Sequence, residues 1–408
     1  MPRKKKEEEA QSTPAIINSP FDDRTLHDER GCAYAFRNND DINATGADFR
    51  MIVGERSNGK TYPTITFDGL MRFIDSGYTQ AFAYIRRWDE DIKTNAPELF
   101  NGCTANGWLN WYTKGKYNNI QYYRGKWYLI LTNEHGDTVA KCKQPCAYAF
   151  SLSRSDHYKG ADYPHIYTII FDEFIADGAG YVVREWKKWQ SVLSTIIRRR
   201  TDIVVYMIAN SVSPNCEYFD RYGIHIDEIP QGTITEYKYK AGGTLALEYC
   251  DSTEGASNKA QPADKYFVID TALTGSETGE MITRGKWEIE AAPHLPRRLS
   301  HKGRTVFRFW IVTGRNKIIQ GNIIETGSAA CVFFHNKTTP LRWLVDDYVY
   351  ISSWDTDLID KANIRVGFNR RYTLDNLIMN MIRGNRAYYD NDITADKLSH
   401  FIEETHSF

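Results

Sequence analysis

The sequence predicts an α/β fold: a first domain on a largely parallel sheet, followed by a smaller second α/β domain. Three observations carry that prediction. Apolar strand-like runs alternate with helical ones from about residue 31 to 250. A glycine-rich turn joins the first strand to the first helix. Composition then breaks at 251–263, Asp-Ser-Thr-Glu-Gly-Ala-Ser-Asn-Lys-Ala-Gln-Pro-Ala, ahead of a new set of strands. The expected organisation is a polar tail or arm over 1–30, the larger α/β domain over 31–252, a linker segment over 253–300 and a C-terminal domain over 301–408.

Taken in order, Phe49–Val53 is a short strand, and the helix after it has Phe67, Leu70, Met71 and Ile74 on one face and Gly77 as its stop. Ala81–Ile85 is the next strand. Residues 106–131 are dense in Trp, Tyr, Asn and Lys and read as an inserted hairpin, Ile120–Leu129. A buried strand follows at Ile166–Phe171, then a long helix over 181–199 with Val183, Trp186, Gln190, Leu193 and Ile197 near one face, then a buried strand at Ile203–Ala209. In the C-terminal domain, Thr305–Val312, Lys317–Ile324 and Cys331–Phe334 read as consecutive strands, with helices over 373–383 and 394–404.

Gly54-Glu55-Arg56-Ser57-Asn58-Gly59-Lys60-Thr61 fulfils G-x-x-x-x-G-K-[ST] between a strand and a helix. Glycines let successive backbone N–H groups turn inward, which makes an anion cradle at a helix N-terminus. Lys60 is placed to reach the terminal phosphates of ATP, and the Thr61 hydroxyl to ligate Mg²⁺. Pro63 falls in the first helical turn, where its missing N–H costs little. The strand at Ile166–Phe171 ends in Asp172-Glu173. Asp172 suits the Mg²⁺ shell and Glu173 the polarisation of an attacking water. An Asp-Glu pair points to the additional-strand (ASCE) class of P-loop ATPases, and no guanine-reading Asn-Lys-x-Asp occurs. Asn210, after the next strand, stands where this class carries a polar sensor; asparagine is also a common turn former there. Arg198-Arg199-Arg200 closes the long helix either as a cationic cap on its dipole or with one member as a finger to a neighbour's γ-phosphate.

The 408 residues hold 51 Lys+Arg against 52 Asp+Glu, a net charge of −1, so a nucleic-acid grip has to come from local basic sites. Lys114, Lys116, Arg124 and Lys126 lie among Trp108, Trp111, Tyr112, Tyr117, Tyr122, Tyr123 and Trp127, a mixture suited to phosphates and sugars; the alternative is a hairpin packed by its aromatics. No apolar run approaches the roughly 20 residues of a membrane span. The N-terminal Pro2–Glu9 lacks the apolar stretch of a signal peptide. Seven scattered cysteines, with Cys142 and Cys146 a lone close pair short of a zinc site, fit a reducing cytoplasm.

Gly54–Thr61, Asp172-Glu173-Phe174, Asn210, the modest length and the small second domain together resemble the DNA-packaging ATPases (encapsidation proteins) of small podophages, whose motor sits on a portal with a packaging RNA. The likeness is good over about 45–250 and loose beyond. It implies a homomeric, five-membered ring on the viral prohead in the host cytoplasm, threading double-stranded DNA with ATP. It implies also that the C-terminal domain is a vestigial RNase H-like nuclease. By position, Arg200 resembles the family's trans-acting finger, Lys159 a basic residue that works across the subunit boundary, and Lys114-Gly115-Lys116-Tyr117 a basic pore loop. The longer arm and larger aromatic insertion depart from the family pattern.

For cleavage, the candidate acids are Asp346, Asp347, Asp355, Asp357 and Asp360. Asp346 and Asp347 are adjacent in an apparent strand and so face opposite ways. Arg297, Arg298, Lys302, Arg304, Arg308, Arg365, Arg370, Arg371, Arg383 and Arg386 favour binding DNA, packaging RNA or the portal over cutting. A terminase-like motor with a working nuclease and a nucleotide-gated assembly scaffold remain the alternatives.

Overall fold

The computed structural model describes residues 30, 38–55, 59–176, 181–211, 213–250, 291–313, 317–327, 329–337, 348–352 and 363–405. The tail over 1–29, the composition break at 251–263 and Arg56, Ser57 and Asn58 of the glycine loop lie outside these residues.

Strands β1 (Phe49–Gly54), β2 (Ala81–Arg86), β3 (Asn119–Tyr123), β4 (Lys126–Thr132), β5 (Thr138–Lys141), β6 (Ala147–Ser151), β7 (Ile166–Asp172), β8 (Val204–Asn210), β9 (Thr233–Lys238) and β10 (Thr244–Tyr249) form one sheet. Its order is β3-β4-β6-β2-β7-β8-β1-β10-β9, with β5 paired to β4. The run from β6 to β10 is parallel. These strands are apolar on both faces because both are covered. Ile52, Phe82, Ile170 and Ile208 pack with the first helical run on one side. Met51, Ile85, Phe171 and Met207 pack with the helix Glu185–Ile197 on the other. Strand β8 stands between β1 and β7, which is the additional strand expected of the class.

The first helical run is Thr61–Pro63, Thr64–Met71 in π geometry and Arg72–Asp75. Gly77, at φ +69°, follows its end. Its large buried apolar side chains are Ile65, Phe67, Leu70 and Phe73, with Met71 and Ile74 only half-buried. The π stretch winds more residues per turn than the assumed 3.6, and Trp108 packs edge-on against Phe67 from outside, so burial reaches beyond one stripe.

The long helix is shorter than expected, and its buried stripe keeps Leu193, with Trp186 and Ile197 packed at its margin, but not Val183 or Gln190. Trp189, Val192, Leu193 and Ile196 are buried, whereas Gln190 is exposed and Val183 lies before the helix, 52% exposed. Arg198 to Arg200 fall beyond its last residue.

The aromatic segment is an extension of the sheet. Strand β4 pairs antiparallel with β6, and the β3–β4 turn places Arg124 and Gly125 at φ +50° and +76°, the two-residue geometry that matches strand twist. Trp108, Trp127 and Tyr117 are buried in the core, and the Trp127 indole donates to the Ala96 carbonyl at 2.8 Å. For these three, core packing is the role.

The C-terminal domain has strands β11 (Arg304–Val312), β12 (Ile318–Thr326), β13 (Ala329–Asn336), β14 (Tyr348–Ile351), β15 (Asn363–Val366) and β16 (Ala387–Tyr389) in the order β15-β14-β11-β12-β13-β16. An antiparallel meander β11-β12-β13 is flanked by β14 and β15 parallel to β11, the RNase H-like arrangement, with β16 added beside β13. Helices Thr373–Arg383 and Asp392–Glu404 cover it, the second capped by the Asn391 side chain, which accepts from the Thr394 N–H at 2.9 Å.

Gly321 on β12 faces the fully buried Phe309 ring, and a Cβ there would lie 2.2 Å from Phe309 Cζ. Phe334 and Tyr350 hold that ring edge-on at 5.9 and 5.7 Å. Gly321→Ala should therefore destabilise this domain by about 1–3 kcal/mol. Urea unfolding of the full chain measures it, and an unchanged midpoint would show that the ring can swing aside.

Candidate nucleotide site

Sheet register assembles the site. Gly54 pairs with Asn210 and Asp172 with Ile208, so the C-terminal ends of β1, β7 and β8 share one edge. The chain then turns from β1 into the Thr61 helix, and Gly59 takes φ +79° in that turn. Lys60 is buried, and its ammonium donates to the Gly54 carbonyl at 3.0 Å, the Glu55 carbonyl at 2.5 Å and Asn210 Oδ1 at 3.2 Å. Lys60 and Asn210, 150 residues apart, thus meet directly. Thr61 follows at the first helical position.

Asp172 is buried. Its Oδ2 accepts from the Tyr84 hydroxyl at 2.8 Å and from Arg86 Nη1 at 3.1 Å. Burial first, and then the Asp172 charge, push the Tyr84 hydroxyl well above its ordinary range, so Tyr84 is a neutral donor. Arg86 also reaches Glu173, with Nη2 2.6 Å from Oε2. Burial opposes the Arg86 charge, but the Asp172 and Glu173 carboxylates outweigh it and raise its pKa. Glu173 has φ +58° and its side chain is 53% exposed, so the carboxylate that ends β7 turns outward into the site.

Arg87 fixes that turn from behind. Its Nη1 and Nη2 donate to the carbonyls of Glu173 and Phe174, both at 2.9 Å, while Nε pairs with buried Glu185 at 2.7 Å. Glu185 is also held by the Tyr218 hydroxyl at 2.7 Å and the Val182 N–H at 2.9 Å. Tyr84, Arg86 and Arg87 were missed in the sequence reading. Their signal is faint: a Tyr-x-Arg-Arg end to β2, meaningful only once β2 is known to lie beside β7.

Arg200 lies at the other end of β7. Its Nη1 donates to the carbonyls of Pro164 and Ile166 at 3.1 and 2.7 Å, its Nε pairs with Asp202 at 2.9 Å, and its guanidinium covers Tyr167 at 4.2 Å. Six strand steps separate Ile166 from Asp172, roughly 20 Å at about 3.3 Å each. An arginine cannot span that, so Arg200 is out of reach of its own chain's Lys60. Arg198 joins the same flank, donating to the Ala161 carbonyl at 2.6 Å. Lys159, two residues earlier, is exposed and paired with Asp156 at 2.5 Å. The structure thus groups Lys159, Arg198 and Arg200 around residues 158–166.

The four basic residues assigned to nucleic acid do not form one patch. Lys114 and Lys116 lie ahead of β3, where Lys116 Nζ sits 4.1 Å from the centre of the Tyr78 ring. Arg124 and Lys126 lie at the opposite end of the hairpin, over Tyr123 at 5.1 Å and Tyr148 at 5.2 Å. Lys141, over Tyr128 at 4.1 Å and Tyr123 at 5.5 Å, joins the hairpin group.

In the C-terminal domain, Asp346, Asp347, Asp355, Asp357 and Asp360 lie outside the described residues. Arg365, counted above as a nucleic-acid candidate, is instead committed to Asp375 at 2.6 Å and stacked on Tyr372 at 3.9 Å. Asp375 is fully buried and also accepts from the Tyr350 hydroxyl at 2.8 Å and the Asn369 N–H at 2.9 Å.

Removing Arg87 would leave Glu185 charged, buried and short of its cation. Arg87→Ala should cost about 3 kcal/mol, read as a lower urea midpoint. A loss below about 1 kcal/mol would mean that Tyr218 and Val182 suffice to hold Glu185.

A profile for Podovirus DNA encapsidation protein (Gp16) matches residues 34–258. The DNA packaging protein of Bacillus phage B103 is 24% identical over 259 residues, 63% of this chain and 69% of that protein. The DNA packaging protein of Bacillus phage phi29 is 26% identical over 232 residues, 56% of this chain and 59% of that protein. Two solved structures share the fold. The Phi-28 gp11 DNA packaging motor has a TM-score of 0.53 at 16% identity, covering 91% of this chain and 98% of that one. The bacteriophage Phi-29 viral genome packaging motor assembly has a TM-score of 0.52 at 18% identity, covering 91% and 99%. With more than half of its length matched by the profile, the chain belongs to the podovirus DNA encapsidation protein family.

Proposed function

We propose that this chain is an ATP-driven motor that translocates double-stranded viral DNA into a prohead, working as a homomeric ring of five on the portal in the host cytoplasm, beside a packaging RNA. The observation that carries the reading is the meeting of Lys60, Asn210, Asp172 and Glu173 at one sheet edge behind a complete phosphate-binding motif. Gly54, Glu55, Arg56, Ser57, Asn58, Gly59, Lys60 and Thr61 wrap the phosphates. The Thr61 hydroxyl and the Asp172 carboxylate are hard oxygen donors of the kind Mg²⁺ takes; Thr61 follows Lys60 and Asp172 ends β7 at the same sheet edge, so the donor set fits. Thr61 and Asp172 would hold a Mg²⁺ whose chemistry is to neutralise phosphate charge.

The chain's own residues do the rest. Asn210 feels the γ-phosphate through its contact with Lys60. Tyr84 orients Asp172. Arg86 holds Glu173 until the carboxylate turns to a water as general base. Arg200 and Lys159 act on the nucleotide of the adjacent subunit, since Arg200 cannot reach its own. Lys114 and Lys116 at one end of the hairpin, and Arg124 and Lys126 at the other, offer phosphate contacts to DNA. The C-terminal domain serves as a binding module: among the described residues, strands β11 and β14 carry no carboxylate, and Asp375 is committed to internal bonds. This favours a vestigial nuclease over a working one.

Glu173→Gln should bind ATP with unchanged affinity and lose hydrolysis by about 100-fold or more; steady-state turnover near wild type would overturn the base assignment. Mixing Arg200→Ala subunits with Glu173→Gln subunits should restore part of the activity, because some interfaces then pair an intact Glu173 with an intact Arg200. Failure to recover turnover at any ratio would refute action in trans.

A further inference from the structure

The last helix of the chain, Asp392–Glu404, touches the nucleotide-binding domain at the two loops that leave the site. The first contact is polar. Strand β8 ends at Asn210, the Ser211 N–H donates to the Gly54 carbonyl at 2.9 Å, and the loop continues through Ser213 and Asn215. Both side chains are buried and both donate to the same oxygen of Asp396, Ser213 Oγ at 2.6 Å and Asn215 Nδ2 at 2.5 Å. The second contact is aromatic. His400, one helical turn along and 3.5 Å from the other Asp396 oxygen, packs edge-on against Tyr181 with ring centres 5.9 Å apart. Tyr181 in turn lies under Arg87 at 4.8 Å, the residue that fixes the Glu173-Phe174 turn. A cavity of about 460 Å³ opens beside these contacts, bordered by Glu185, Glu217, Lys397 and Glu404.

We propose that Asp396 is a positioning residue that couples the nucleotide site to the C-terminal domain, tying the loop after the sensor Asn210 to the final helix. The inference rests on ATP binding at Gly54–Thr61. When Lys60 turns to a phosphate, its bond to Asn210 changes, the loop carrying Ser213 and Asn215 shifts, and Asp396 passes that shift to the helix. A short carboxylate bond suits this because it is directional and is lost over a displacement of about 1 Å.

Hydrogen exchange on the full chain, with and without Mg²⁺ and a non-hydrolysable ATP analogue, tests it. In wild type, the analogue should slow or speed exchange by about fivefold or more both in 59–75 and in 392–405. In Asp396→Ala, the response in 59–75 should persist, which shows folding and binding, while that in 392–405 disappears. Ser213→Ala, which removes a donor from the other side, should reduce it likewise, and Asp396→Asn, which keeps an acceptor, should retain part. A response in 392–405 that survives Asp396→Ala overturns the proposal, as does a wild-type response confined to 59–75. A wild-type chain with no response in either segment would instead overturn the nucleotide-binding reading itself.

Discussion

The constraint on which this structure depends is the register of three parallel strands. With β8 hydrogen-bonded between β1 and β7, Gly54, Asn210 and Asp172 are brought to one edge, and the start of β7 is carried to the other. The first consequence is that Lys60 and Asn210 meet at the edge where Asp172 ends its strand. The second is that Arg200, tied to the carbonyls of Pro164 and Ile166, is held away from that edge by the length of a strand. The same sheet that brings Lys60 and Asn210 together thus keeps Arg200 away from them within one chain.

The cost of placing charges at that edge is met by two adjacent arginines with different tasks. Arg87 is sealed in, balanced by Glu185, and spends its remaining donors on two carbonyls; its task is to keep a strained turn in one shape. Arg86 bridges Asp172 and the outward-facing Glu173. A pair with one carboxylate half-exposed is weakly held compared with a buried one, so it can yield when a stronger partner or a phosphate arrives. Rigidity behind the turn and a breakable bond in front of it are what a base needs if it is to act only on cue.

How much of this was legible in the sequence followed from distance along the chain. The phosphate motif, the Asp172-Glu173 pair and Asn210 are local patterns, each attached to a recognisable strand end, and all three fell at the same edge. Tyr84, Arg86 and Arg87 were not legible because their meaning depends on β2 lying next to β7, and strand order leaves no mark in either strand. The long helix was found and its stripe in part: Leu193 is buried and Trp186 and Ile197 pack beside it, but Val183 precedes the helix and Trp189, the largest buried side chain there, was not named. The dense aromatics around 106–131 were read as nucleic-acid contacts or as packing; Trp108 and Trp127 turned out to be core, while Tyr123 stayed half-exposed beside Lys141. Composition could not separate the two, because the same residue types serve both.

The central claim is that each hydrolytic site is divided between two copies of the chain. Electron cryo-microscopy of the protein with Mg²⁺ and a non-hydrolysable ATP analogue tests it most directly. The account predicts a closed ring with nucleotide between Gly54–Thr61 of one subunit and the flank carrying Lys159 and Arg200 of the next, Arg200 having left its own carbonyls for the γ-phosphate. Nucleotide bound in rings whose Arg200 side chains still lie on Pro164 and Ile166, far from any neighbour's phosphates, would contradict it.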